Sequence, residues 1–186
     1  MNSMDLIIAG VGGQGTVLAS RVLAQAAVNA GLDAITSETI GMAQREGVVQ
    51  SHVRLDAGEV GPLIPDGRAD LLLGFEPAEA ARALVKMRPG ADAIVNTAAV
   101  YPFTVALGVS HYEVKDILAH LERALPGSLL LDATDLAARA GNRRATNAVM
   151  LGAVSSRGLL PIPPERILDA LLGLVRPAYR EVNERA

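Results

Sequence analysis

Leu6-Ile7-Ile8-Ala9-Gly10-Val11-Gly12-Gly13-Gln14-Gly15 decides the fold. A short apolar run leads directly into a Gly-x-Gly-x-x-Gly turn, and Thr16–Ala30 follows with an amphipathic rhythm set by Val17, Leu18, Val22, Leu23 and Ala26. Strand, glycine turn and helix in that order form the Rossmann-like first unit of a parallel α/β sheet. Glycines let the backbone turn sharply and approach a ligand, while the helix behind offers free N–H groups at the positive end of its dipole. Gly12, Gly13, Gln14 and Gly15 are therefore candidate anion-binding residues. The competing reading is a tight turn whose small residues only let strand and helix pack. No Gly-Lys-Ser/Thr ending follows, so the loop is not a P-loop.

Outward from that unit the pattern repeats. Ala34–Ser37 reads as a second strand, and Val48–Leu55 as a half-exposed strand with Val49, Ser51, Val53 and Leu55 on one face. Asp56-Ala57-Gly58-Glu59 is a turn signal after which Val60–Ile64 is expected to return as the other arm of a β-ribbon. Leu71–Phe75 reads as a strand buried on both faces, Pro77–Met87 as a helix, Ala93–Asn96 as a strand, Glu113–Leu125 as a helix and Leu129–Leu131 as a last strand. Helices are expected over Thr146–Ser156 and Pro164–Val175 and from Pro177 onward. The expectation is a three-layer α/β/α fold with a mostly parallel sheet, a β-ribbon insertion and a helical C-terminal end, in a single domain spanning 1–186. Ligands of such sheets gather outside the carboxyl ends of the strands, here Gly10, Ser37-Glu38, Glu76, Asn96-Thr97 and Asp132.

Composition narrows the function classes. Half of the 186 residues are hydrophobic and only 3% aromatic, so the core is built from Ala, Val, Leu and Ile. A net charge of -3 with no basic patch and few aromatics argues against nucleic-acid binding. Without cysteine, this chain alone holds no iron–sulfur cluster and no zinc–thiolate site, in keeping with a cytoplasmic protein. Met1-Asn2-Ser3-Met4-Asp5 shows no signal peptide, and no apolar run approaches the roughly 20 residues that span a bilayer. His52, His111 and His120 have no metal-ligand spacing, and no nucleophilic triad is evident, so no catalytic and no metal-ligating residue is assigned.

Two further segments carry chemistry. Ser37-Glu38-Thr39-Ile40-Gly41-Met42-Ala43-Gln44-Arg45-Glu46-Gly47 reads as a polar loop between strands. Arg45 would clamp a carboxylate or phosphate and Met42 would pack on a flat apolar group, unless the loop is simply a solvated one. Glu38 lies where a dinucleotide enzyme keeps its ribose-binding acid. The second segment is Gly141-Asn142-Arg143-Arg144, leading into a helix lined by Ala145, Ala148, Gly152 and Ala153, which suits internal packing or a subunit interface.

Val11-Gly12-Gly13-Gln14-Gly15, Ser37-Glu38-Thr39, Gly41-Met42-Ala43-Gln44-Arg45 and Ser51-His52-Val53-Arg54 together resemble the gamma-type domain of the 2-oxoacid:ferredoxin oxidoreductases. Within that family the chain is similar to the small (beta) subunits of indolepyruvate ferredoxin oxidoreductases. Pro62-Leu63-Ile64-Pro65, Phe75-Glu76-Pro77, Val95-Asn96-Thr97, Asp132-Ala133-Thr134 and Gly141-Asn142 extend the likeness over nearly the whole chain. Glu46 departs from the Gly usual there and puts a carboxylate into the loop. The resemblance implies oxidative decarboxylation of a 2-oxo acid to acyl-coenzyme A with electrons passed to ferredoxin. It places thiamine diphosphate and the iron–sulfur clusters in a large partner subunit, with coenzyme A at the shared interface. Because both segments follow strand ends, Gly12, Gly13, Gln14, Gly15, Glu38, Met42, Gln44 and Arg45 are expected on one edge as cofactor-binding residues, facing the partner's active site or coenzyme A. Two alternatives stay open: a stand-alone NAD(P)-binding oxidoreductase, and a non-catalytic dimerisation module that forms a homodimer in isolation.

Overall fold

Residues 3–41 and 47–186 are described by the computed structural model of the chain. Strands β1 (Met4–Val11), β2 (Ala34–Ile40), β3 (Val48–Leu55), β4 (Ala69–Gly74), β5 (Met87–Asn96) and β6 (Leu129–Leu131) form one sheet in the order β2-β3-β1-β4-β5-β6. β1, β4, β5 and β6 pair in parallel, and β3 runs antiparallel between β1 and β2. β2 therefore points the same way as β1 but is separated from it by a whole strand.

Period-two alternation sends the two faces of β1 to different cores. Leu6 and Ile8 join Leu71, Leu73, Val53 and Leu55 under α1 (Thr16–Asn29), α5 (Ala133–Arg139), α6 (Thr146–Ser156) and α7 (Pro164–Leu174). Ile7 and Ala9 join Leu72, Ala93 and Val95 under α2 (Pro77–Ala83) and α4 (Val114–Ala124). Each fully buried Leu or Ile here contributes about 1.5–3 kcal/mol, which is how a core nearly free of aromatics suffices. A short α3 (Phe103–Ala106) and the terminal α8 (Arg180–Arg185) complete the α-helices among the described residues. None of them is long and apolar enough to cross a membrane.

The three-layer architecture agrees with the sequence, and four details differ. The antiparallel ribbon is β2–β3, and Val60–Ile64 is no strand. Pro62 and Pro65 lack the N–H a ladder needs, and both edges of β3 are already taken by β1 and β2. Ser37–Ile40 extends β2 instead of opening a loop. The α2 helix stops at Ala83, a 3-10 turn covers Leu84–Lys86, and Met87 begins β5. His52 is buried, because the segment ending in Ile64 folds back over its face and Ile64 N–H donates to His52 Nδ1 at 3.1 Å.

Candidate functional site

The carboxyl ends of β1, β4, β5 and β6 converge on the glycine turn. Gly15 opens α1 in the left-handed region, at φ 85°, and no side chain caps the helix. Gly10 is fixed by space: a methyl there would lie 2.7 Å from Gln14 Oε1 and 2.9 Å from Phe75 Cβ. Gly13 is the opposite case, with nothing within 4 Å of an added Cβ, so its backbone is open to approach.

Gln14 turns inward. Val11 N–H donates to its Oε1 at 2.9 Å, and its Nε2 donates to Phe75 O at 3.1 Å, tying the end of β1 to the end of β4. The fully buried Asn96 continues the stitch from β5. Its Nδ2 donates to Phe75 O and to Thr134 Oγ1, and its Oδ1 accepts from Ala133 N–H at 3.0 Å. Two amides thus hold three strand ends and the start of α5 in register. Gly12 N–H donates to Gly47 O, fastening the turn to the entrance of β3.

A cleft of about 220 Å³ opens beside this turn, lined by Gly13, Gln14, Thr134, Arg143, Arg144 and Thr146 among others. Arg143 and Arg144 are exposed and make no salt bridge with a described residue. Open glycine backbone, two guanidinium groups and two hydroxyls form an environment for a phosphate or carboxylate.

On the other side of Phe75 lies an acidic cluster. Glu76, almost fully buried, caps α2 by accepting from Glu79 N–H at 3.0 Å. It also accepts from Val100 N–H at 3.4 Å and from the Tyr112 hydroxyl, which itself accepts from Ala78 N–H. Burial, then the bond to Glu76 and its charge, push the Tyr112 hydroxyl far above the ordinary tyrosine range, so it stays a donor. Burial also raises the Glu79 carboxyl, against the pull of Arg82, with which it pairs. These groups border a second cleft of about 330 Å³ that includes Val11, Val48, Pro102 and Phe103.

The sequence-derived site residues divide. Gly12, Gly13, Gln14 and Gly15 lie together at the carboxyl edge. Glu38 is in β2, two strands away, where its Oε1 accepts from Ser20 Oγ at 3.0 Å. With β3 between them, Glu38 and the glycine turn do not form the ribose–pyrophosphate pairing of a dinucleotide fold, in which the first and second strands are neighbours. Met42, Gln44 and Arg45, with Ala43 and Glu46, lie outside the described residues. From the sequence, Glu76, Asn96 and Asp132 stand at strand ends and Thr134 within the Asp132-Ala133-Thr134 run, none with a role of its own, and Tyr112 is not singled out. An acid directly before Pro77 with Glu79 three residues on was the available cap signal. Nothing in sequence alone brings Tyr112 to it.

Comparison with known proteins extends over the whole fold. The family model for pyruvate ferredoxin/flavodoxin oxidoreductase matches residues 5–185. Indolepyruvate oxidoreductase subunit IorB of Archaeoglobus fulgidus is 36% identical over 185 residues, covering 98% of this chain and 91% of that protein. The subunit of the same name from Methanothermobacter thermautotrophicus is 36% identical over 98% of this chain and 93% of its own length. The gamma subunit of a keto/oxoacid ferredoxin oxidoreductase from Geobacter sulfurreducens superposes with a TM-score of 0.67 at 22% identity, covering 98% of this chain and 92% of its own. The 2-oxoglutarate:ferredoxin oxidoreductase of Magnetococcus marinus, solved with 2-oxoglutarate, coenzyme A and succinyl-CoA bound, matches with a TM-score of 0.70 at 20% identity. There the match takes in 99% of this chain but 29% of a longer one. With a family model matched almost end to end and relatives above a third identical over nearly full length, this chain belongs to the pyruvate ferredoxin/flavodoxin oxidoreductase family.

Proposed function

We propose that this chain, acting as one domain over residues 1–186, is the small subunit of an indolepyruvate-class ferredoxin oxidoreductase. The observation that carries the reading is its near full-length match to proteins named as indolepyruvate oxidoreductase subunits. The complex converts an aryl 2-oxo acid to an acyl-coenzyme A and passes two electrons to ferredoxin. Thiamine diphosphate, bound in the large subunit, supplies the carbanion chemistry of decarboxylation, and iron–sulfur clusters there conduct the electrons. This chain has no cysteine to ligate a cluster. Among its described residues no group of three or more His, Asp or Glu side chains is placed to hold a metal. Its part is to position and enclose. A ferredoxin-dependent enzyme works where ferredoxin is, and we assign the complex to the cytoplasm on that ground.

Gly12, Gly13, Gln14 and Gly15 face the large subunit's active site in this reading, with Glu38, Met42, Gln44 and Arg45 completing the shared edge. The cleft at Gly13, with Arg143 and Arg144, fits the phosphate groups of coenzyme A: the backbone is open and the charge is of the right sign. Gln14 would orient the turn without touching the ligand, since both ends of its amide are engaged.

The test is co-expression with the large thiamine- and cluster-binding subunit, followed by coenzyme A-dependent reduction of a viologen dye with indolepyruvate. Turnover that requires both chains is expected. Arg143→Ala/Arg144→Ala should raise the KM for coenzyme A about tenfold, the effect of losing charge-assisted bonds to phosphate. Unchanged turnover in Gln14→Ala and Arg45→Ala would remove those residues from the site.

A further inference from the structure

A single uncharged arm projects from the carboxyl edge beside the acidic cluster. From Thr97 to Tyr112 there is no Asp, Glu, Lys or Arg. Within it Tyr101, Phe103, Leu107 and Val109 are 58%, 73%, 61% and 75% exposed. Large apolar side chains scattered singly over a surface need no explanation, but four on one short segment do.

The arm is preformed. Leu107 N–H donates to Phe103 O and Val109 N–H to Thr104 O, and the hydroxyls of Thr104 and Ser110 meet at 2.7 Å across its base. Glu76 grips both roots, accepting from Val100 N–H on one side and the Tyr112 hydroxyl on the other. The Tyr101 and Tyr112 rings pack edge to face at 5.3 Å. A buried carboxylate spent on fixing both ends of a solvent-facing apolar segment lowers the ordering cost of whatever binds there.

We propose that the 100–112 arm is the docking element by which this chain attaches to the large subunit of its enzyme, with Glu76 and Tyr112 as the residues that position it. The inference rests on the subunit reading above. Three observations favour that occupant. The arm stands on the edge that carries the glycine turn, and Phe103 shares a cleft with Val11 and Val48. A partner seated over that edge would meet the arm and the turn together. Ile40 and Val48, at the β2–β3 end of the same edge, are also exposed and extend the apolar strip. Finally, the same fold forms 29% of one longer chain in the Magnetococcus enzyme, so a fold of this kind is found built into a larger body. The apolar side chains of the arm suit an apolar partner surface, and the 330 Å³ cleft beside Phe103, bordered by Glu76, Glu79 and Arg82, suits a polar side chain at the rim of that surface.

The test titrates the large subunit with wild-type chain and with Phe103→Asp/Val109→Asp, reading co-elution on sizing chromatography and coenzyme A-dependent dye reduction. Phe103→Ser serves as a neutral second variant, and Val85→Asp, 59% exposed at the opposite edge of the sheet, as control. The double variant is expected to need at least about tenfold more chain for half-maximal rate, as for loss of an interface anchor, with the thermal midpoint of the isolated chain unchanged. Phe103→Ser should show a smaller shift in the same direction, and Val85→Asp none. Both arm variants titrating like wild type would overturn the docking assignment while the subunit reading stood. Wild-type chain that neither co-elutes nor supports turnover would overturn the subunit reading and the arm with it. Loss of self-association of the isolated chain, with titration of the large subunit intact, would assign the arm to a second copy and equally overturn the proposal.

Discussion

Two networks flank Phe75 at the carboxyl edge, and they are built from opposite materials. On one side Gln14 and Asn96 are neutral amides that stitch β1, β4, β5 and α5. On the other Glu76, Glu79, Arg82 and Tyr112 form a charged cluster that caps α2 and holds the 100–112 arm. Amides satisfy donors and acceptors at once and carry no charge to desolvate, so they suit a junction of strand ends that must hold one geometry. Carboxylates make stronger bonds to N–H and O–H but are costly when a partner is lost. The glycine turn is thus held by neutral groups, and the arm by the material with the strongest grip.

The sharpest way to break this contrast is Asn96→Ala. It strands the Ala133 N–H and removes two donors from buried acceptors, costing about 3 kcal/mol by the usual penalty for unmade buried bonds. Urea unfolding measures it, and a loss below 1 kcal/mol would mean that water replaces the amide. Gln14→Ala comes next, at about 2 kcal/mol, because Val11 N–H and Phe75 O both lose a partner at a half-buried position. Turnover of the assembled enzyme should fall with it, since the turn loses its tie to β4. Tyr112→Phe tests the charged side at about 1 kcal/mol, removing one hydroxyl from Glu76 and one acceptor from Ala78 N–H. Assembly with the large subunit should weaken by more than that stability loss suggests, because the arm loses one of its two roots. Equal effects on folding and assembly would reduce Tyr112 to a structural residue.

How much of this was legible in the sequence depends on the range of the interaction. Leu6–Ala9 running into glycine fixes β1, the turn and α1, because strand, turn and helix signals are all local. The buried strand at Leu71–Phe75 is legible for the same reason. The insertion of β3 between β1 and β2 is not, since alternation in Val48–Leu55 marks a strand without naming its neighbours. Pro62 within the expected return strand and Pro65 directly after it are the clue that the partner of β3 lies elsewhere. His52 shows the same limit: its alternating position marks a face, but only the fold-back to Ile64 decides that the face is covered. Within the site, Gly12–Gly15 is visible as a motif. Glu76 with Tyr112, and Asn96 with Thr134, are pairings over 36 and 38 residues that no local pattern records.

The smallest expected effect separates charged from neutral chemistry by pH. His52 is held below the ordinary histidine value of 6.5 by burial first, then by Lys86 and Arg54, with Asp5 pulling weakly the other way. The folded chain therefore favours neutral His52 while the unfolded chain takes up a proton near 6.5, so stability is lost as pH falls from 6.5 toward the folded value. Glu79 has the reverse sign. Its carboxyl is raised above 4.5 chiefly by burial, so the folded chain binds that proton more tightly, and stability is lost as pH rises from 4.5 through the folded value. Each slope stays below about 1.4 kcal/mol per pH unit, the limit for one proton. Urea unfolding from pH 4.5 to 7.5 should show His52→Gln removing the rising limb and Glu79→Gln the falling one. Asn96→Ala should shift the whole curve without changing its shape. A pH-dependent penalty in Asn96→Ala would show that the amide stitch and the acidic cluster are one coupled network, and the division across Phe75 would fail.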